Sequence, residues 1–373
     1  MKISQVDRQK LAPLLEELAR AIEDLLLTGL TTASDATRQT LNVSFQEASR
    51  IGLLRLGGTL RVACEELTRY TKNQEDFSRQ RFAFFLNRAW LICRGLAIAL
   101  KEGNDAEFER LSWTPSLTPV GQLELVCLGV SKKFVQNAFC AFDFRLRVLS
   151  SDASDIPIGQ KLLWSYVKPV KAEATVPAEG YLHLSQKQKF KPIDFMKGRK
   201  IHVNNAGVTM EKSGTARLNL LESSKVTPGD KFDDWARYTA SWDPLAALER
   251  LQSHPPGPLD LDIEMQEEIV LQGWNIDVPI EDGKDLKHTY PITYKNVVFR
   301  GVVPKGADGV ELDETLHRLL TAKVPPPMFG LLHYERCRLT LQPLSIFGDN
   351  GPEYMNISDK NIDPASLLKL LRF

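Results

Sequence analysis

No excess of charge of either sign marks this 373-residue chain: 47 Lys and Arg stand against 47 Asp and Glu. Overall charge therefore predicts neither a nucleic-acid nor a membrane partner, and any such site has to be local. The five cysteines include no CxxC pair, which removes support for a structural zinc site or a thioredoxin-like motif. Cys64 and Cys93 lie in helical pattern and Cys127, Cys140 and Cys337 in strand pattern, so buried free thiols are expected. The N-terminus MKISQVDRQK lacks the basic region and apolar core of a signal peptide, and no apolar run approaches a membrane span. The expectation is a cytoplasmic protein without a membrane partner. Phosphate-binding GxxxxGK, a GxGxxG opening a helix, GxSxG and HExxH are also missing. That removes the common nucleotide-binding and hydrolytic signatures, though not catalysis from scattered residues. No cofactor and no metal is expected.

What is present has ordinary globular proportions, 43% hydrophobic and 25% charged, with length for two or three domains. The expected fold class is multidomain α+β: an antiparallel helical bundle, then β-rich modules of sandwich or small-barrel type, then a short C-terminal helix. Boundaries are expected at 1–112 for the bundle and 113–240 for a first β-rich domain. A connector helix and Pro-rich linker take 241–258, and a second α+β domain takes 259–373.

In the bundle, Leu11, Leu15, Leu18, Ile22 and Leu25 recur at helical steps up to Gly29. Ser34 is a candidate cap for a second helix carrying Leu41, Phe45 and Ala48. Leu53, Leu56, Leu60, Ala63, Leu67 and Tyr70 form a heptad-like seam whose glycines, Gly52, Gly57 and Gly58, are read as points of close packing. Asn73 and Asp76 resemble a capping box for a central helix over Phe77–Leu100. That helix has two apolar faces, one along Phe82, Phe85, Ala89, Ile92 and Leu96, the other along Phe77, Phe84, Leu91 and Ile98. A bundle helix needs one such face, so the second is a candidate partner-binding stripe. Arg79, Arg81, Arg88 and Arg94 are read as a solvated ridge rather than a phosphate contact.

Beyond Trp113 the period becomes two. Leu123–Cys127 and Cys140–Val148 read as paired strands about SKKFVQN, with Cys127 opposite Cys140, Leu125 opposite Phe142 and Leu123 opposite Phe144. Further strands are expected at 162–167, 181–185, 200–208 and 216–221, in a sandwich or a small OB-like barrel. Lys187, Lys189, Lys191, Lys197, Arg199 and Lys200, interleaved with Phe190 and Phe195, are the candidate single-stranded nucleic-acid site. The competing reading is an edge strand protected by lysines.

Asp243-Pro244 opens a connector helix, and HPPGP at 254–258 marks a linker. Asp260, Asp262 and Glu264 alternate with apolar residues as the solvated face of a strand. Strand is expected at 290–303 and helix at 313–323. In LLHYERCRLTLQPL, His333, Glu335 and Cys337 would share one strand face, but the further cysteines of a zinc deaminase are missing. The final segment has Leu367, Leu368, Leu370 and Leu371 on a helix opened by Asp363-Pro364. Leu367 and Leu371 are further candidate partner contacts, although docking of this helix on its own domain is the first expectation.

These features describe a non-catalytic interaction or scaffold subunit of a larger assembly, with other protein subunits as partners and a homo-oligomer compatible with the same surfaces. The alternative is a single-stranded nucleic-acid binder using the 187–200 cluster, and the second alternative a motif-poor hydrolase or metal enzyme.

Overall fold

The computed structural model describes residues 5–32, 35–75, 77–112, 117–135, 139–170, 177–210, 216–240, 242–253, 259, 266–282, 287–304, 309–335, 338–349 and 351–358. Helices occupy the N-terminal third and two mixed β-sheets follow, an α+β architecture. The chain divides into two compact units, residues 1–116 with 256–261, and residues 117–255 with 262–373.

In the first unit, α1 (Gln5–Thr28), α2 (Asp35–Arg50), α3 (Leu54–Thr71), α4 (Arg79–Glu102) and α5 (Asp105–Ser112) surround one apolar core. Leu15, Ile22, Leu41, Leu56, Leu60, Leu67, Leu86 and Leu96 are buried there, each side chain stabilising by about 1.5–3 kcal/mol relative to exposure. Glycine stops the helices where the chain must turn left-handed: Gly29, Gly52 and Gly103 have φ of +82°, +83° and +67°. Gly52 thus breaks the helix rather than packing within it. Gly57 does allow close approach, since a Cβ there would lie 2.6 Å from Ser49 Oγ, whereas Gly58 faces open space. The cap of α4 is Ser78, whose Oγ accepts from Arg81 N at 3.2 Å. Asn73 lies earlier, in a left-handed turn, and Asp76 and Ser34 fall outside the described residues.

The second unit holds a closed barrel and an eight-stranded sheet whose strand order makes it a second, barrel-like half. β1 (Leu117–Val135), β2 (Phe139–Ser151), β3 (Lys161–Pro169), β4 (Arg199–Met210) and β5 (Ala216–Lys231) close in the order β1-β2-β3-β5-β4. β1 is long enough to pair with β4 through its first half and with β2 through its second. Bulges after Glu124 and Cys127 bend it between the two. β3 and β5 pair in parallel, the other neighbours antiparallel. This is the Greek-key path of an OB-type barrel.

α6 (Pro244–Ser253) starts at Asp243, whose Oδ1 accepts from Leu245 N at 3.0 Å. The second sheet contains β6 (Gln266–Leu271), β7 (Asn275–Ile276), β8 (Ile280–Asp282), β9 (Lys287–Tyr294), β10 (Val297–Val302), β11 (Met328–Glu335), β12 (Arg338–Gly348) and β13 (Gly351–Tyr354). Its path runs β6-β11-β12-β10-β9-β7, with β8 on β9 and β13 on β12. β6 and β7 occupy opposite ends of that path yet are separated in sequence by Gln272, Gly273 and Trp274, with Gly273 at φ +68°. They are one bent strand, so the sheet curls back on itself. Taking β6 and β7 as the first strand, then β9, β10, β11 and β12, the order and the parallel third–fifth pairing (β10 with β12) repeat those of the first barrel. α7 (Val310–Leu319) joins third strand to fourth, where the first barrel has two 3-10 turns at Ala178–His183 and Pro192–Met196.

Several local expectations shift. The β1–β2 hairpin exists, but Leu125 faces Val148, Cys127 faces Leu146 and Cys140 faces Phe134, so the two thiols are not opposed. β1 continues through 131–135 because Lys132 is buried on Glu179, Nζ to Oε1 2.6 Å, their side chains 4% and 11% exposed. Residues 181–185 form no strand; Tyr181 and Leu182 are consecutive and both buried, which a strand with one inward face cannot arrange. The 290–303 stretch is the β9–β10 hairpin turning at Lys295. α7 begins three residues before the expected Asp313, burying Leu312, Leu316 and Leu319. The Asp260–Glu264 strand, the 254–258 linker and the C-terminal helix with Leu367 and Leu371 lie outside the described residues.

Candidate interaction surfaces

α4 is built to serve two sides. Phe82, Leu86, Ala89, Ile92, Cys93, Leu96 and Ala99 are buried in the bundle. On the opposite side, at seven-residue steps, Phe84 and Ile98 are 56% and 53% exposed, with Phe77 and Leu91 half-buried. Phe77 leans on Tyr70 at a ring distance of 5.2 Å. By length and composition α4 is long and apolar enough to cross a membrane, contrary to the expectation from the sequence; in this structure it is the helix through the bundle core.

The arginines around the stripe are held in place. Glu66 is fully buried, takes Arg69 as a close ion pair, lies 3.5 Å from Arg81, and accepts from Ser78 N at 3.0 Å. Arg94 pairs with Glu23 at 3.2 Å. The Arg88 guanidinium lies over the Phe84 ring at 5.9 Å.

The lysine cluster is not a stacking platform. Phe190 and Phe195 are buried and plug the first barrel, with Phe195 stacked on Trp164 at 4.7 Å and 5.7 Å from Phe190. The segment is a series of turns rather than an edge strand, with Lys189 left-handed at φ +62°. Alternation of Lys and Phe signalled which side chains point inward, but a barrel plug uses that alternation as readily as a strand does. Three cations of the cluster meet acids: Lys187 with Glu222 at 2.8 Å, Lys197 with Asp194 at 2.7 Å, and Lys200 with Glu124 at 3.2 Å. Lys189, Lys191 and Arg199 are exposed.

His333 and Glu335 both lie on β11. The run folds into the β11–β12 hairpin, with His333 paired to Thr340 and Glu335 to Arg338, and Cys337 falls outside the described residues. Cys64, Cys93, Cys127 and Cys140 are free and buried. Burial pushes their thiols up to about 11, 12, 12 and 11 respectively, far from a nucleophile's range. Among the described residues no group of three or more His, Cys, Asp or Glu could hold a metal ion.

The surface that sequence reasoning missed joins the two barrels. Val126 and Leu128 on β1 pack with Phe232, Trp235, Val270, Phe329, Leu331, Leu344 and Phe347 in a shared apolar core. Gly129 permits it, since a Cβ would sit 2.6 Å from the Phe329 ring. Ser345 Oγ donates to the Leu128 carbonyl, and Tyr354 OH to the Cys127 carbonyl at 3.2 Å. Beside this core Glu268 lies 2.5 Å from Arg147 and 3.7 Å from Arg145, which also donates to Gln266 at 2.9 Å. Burial opposes the charged form of Glu268, but Arg147, Arg145 and Lys161 outweigh it and hold its carboxyl below the usual range. In sequence the signal was faint: four consecutive apolar residues, Leu125, Val126, Cys127 and Leu128, interrupt the alternation of β1 and mark a strand buried on both faces.

No family model matches the chain, and no curated protein matches it. Among solved structures, one similar chain is the Ifi202 HINa domain in complex with 20 bp dsDNA. It has TM-score 0.31 and 8% identity, over 65% of this chain and all of that one. Another is described as the molecular basis for abrogation of activation of pro-inflammatory cytokines. It has TM-score 0.29 and 9% identity, over 61% of this chain and 91% of that one. At these scores neither carries an argument about fold or function.

Proposed function

We propose that this chain is a non-catalytic interaction subunit that docks another protein on the outer stripe of α4. The observation supporting this reading is the exposure of Phe84 and Ile98 on the side of α4 turned away from its core. Large apolar side chains aligned at heptad spacing are what an amphipathic helix of a partner covers. Arg81 and Arg88 border one side of the stripe and Arg94 and Lys101 the other, so the partner carries acidic residues beside its apolar seam. A second copy would bring like charge to like, which disfavours self-pairing through this face.

The test is stoichiometric co-purification of the full chain from its native source, beside Phe84→Glu with Ile98→Glu. The expected result is a defined partner lost by the double variant, whose thermal midpoint stays within a few degrees of the parent because both positions are solvent-facing. A solitary wild-type monomer, or a partner retained by the double variant, overturns the reading.

A second reading rests on the exposure of Lys189, Lys191 and Arg199. With Phe190 and Phe195 buried, these cations offer phosphate contact without base stacking. Binding to single strands would then fall steeply with salt, and glutamate at the three positions would abolish it. Affinity unchanged by those substitutions removes this reading.

A further inference from the structure

The outer face of the second sheet changes character across its width. At β6, β11 and β12 the first barrel covers it, through Val270, Phe329, Leu331 and Leu344. At β8, β9 and β10 apolar side chains stay in solvent: Ile280 is 59% exposed and Val298 60%. Ile292 on β9 and Phe299 and Val303 on β10 point into the core, so by alternation Pro291, Val298, Arg300 and Val302 point out. Scattered exposed apolar residues need no explanation, but these stand in register on adjacent strands. Ile280 on β8 and Val302 on β10 both pair with Thr289 of β9, which is buried between them.

The next row carries charge. Asp277 N donates to the Pro291 carbonyl at 2.9 Å, and Pro291 pairs with Arg300. Ile276 packs on the core, so Asp277 points out; it is exposed and, among the described residues, meets no cation. Both rows are asymmetric about β9, with Ile280 and Asp277 on one side and Val302 and Arg300 on the other. A two-fold axis along β9 therefore sets each residue against its complement, Ile280 on Val302 of the second copy and Asp277 on Arg300 of the second copy, each contact occurring twice. We propose that β8, β9 and β10 form a self-complementary face on which a second copy of this chain docks, sheet on sheet at a spacing of about 10 Å. A guanidinium has five donors, so Arg300 can serve a neighbour and the second copy's carboxylate together. A face of three strands is smaller than a standard interface of about 800 Å² per partner, so the pair is weak and reversible. The inference is independent of the α4 reading and uses a different surface.

Sedimentation equilibrium of the full chain tests it. The weight-average mass is expected to rise from that of a monomer toward that of a dimer over roughly 1–100 μM. Asp277→Arg alone, or Arg300→Asp alone, brings like charges together and weakens the pair by about tenfold or more. Mixing these two variants restores it, since each supplies the charge that the other lacks. Phe84→Glu with Ile98→Glu leaves it unchanged. A monomer at every concentration, a dimer indifferent to the charge reversals, a mixture no stronger than its components, or a dimer lost with the α4 variant would each overturn the proposal. Should Arg300→Asp unfold the chain, Ile280→Asp, at an exposed position and with circular dichroism as the folding control, puts the same question to the apolar row; a dimer retained by that variant also overturns the proposal.

Discussion

Glu66 shows how much one side chain can organise. It is a buried carboxylate holding Arg69, Arg81 and the first amide of the turn into α4. Removing it takes the acceptor from the Ser78 amide and one ion-pair partner from each of two part-exposed guanidinium groups. Glu66→Ala is expected to cost about 1–3 kcal/mol, read from urea unfolding of the full chain. Its neighbour Glu65 is exposed and gives the control, with an effect inside about 0.5 kcal/mol. Glu268 makes the corresponding prediction in pH. Its carboxyl is held below the ordinary 4.5, so the folded state favours its charged form. The stabilisation is fully present above about pH 4.5 and is lost as pH falls through the depressed folded value. Thermal midpoints of the parent and Glu268→Gln should differ at neutral pH and converge as the medium is acidified; a gap constant with pH would refute this.

Elements were legible where one periodicity governed them. The apolar steps of α1 to α4, the glycine stops at Gly29 and Gly103, the cap at Asp243 and the β1–β2 hairpin all follow from local chemistry. Register did not follow. Cys127 opposite Cys140 satisfied the alternation as well as the pairing found, because a period of two repeats at every even offset. The choice came from Lys132 finding Glu179 and from two bulges. The same strand carries a prediction at Gly129. A methyl group there would meet the Phe329 ring and Leu344, so Gly129→Ala should destabilise by about 1–3 kcal/mol, measured by denaturant unfolding. Gly58→Ala, in open helical surroundings, should be neutral or stabilising in the same assay.

For the barrel pair as a whole, two copies of one strand order share an apolar core and a buried ion-pair cluster. Neither barrel keeps a full set of outer faces wet, so the two should open together. Native-state hydrogen exchange should show the slowest amides of β1 and β2 and those of β11 and β12 exchanging at one common opening free energy. Separate values more than about 1 kcal/mol apart would mean that the shared core does not couple them.

The sequence by itself determined the helices of the N-terminal third, the α+β class, the cap at Asp243 and which faces of α4 are apolar, because these depend on residues within a few positions of each other. Tertiary structure decided the rest. It drew Phe190 and Phe195 into the barrel, set His333 opposite Thr340 in a hairpin, and left Phe84 and Ile98 in solvent. It also set Glu268 between two arginines more than a hundred residues away in the chain. Whether an apolar or charged side chain is core, plug or contact surface depends on what long-range packing brings against it, and local spacing carries no record of that.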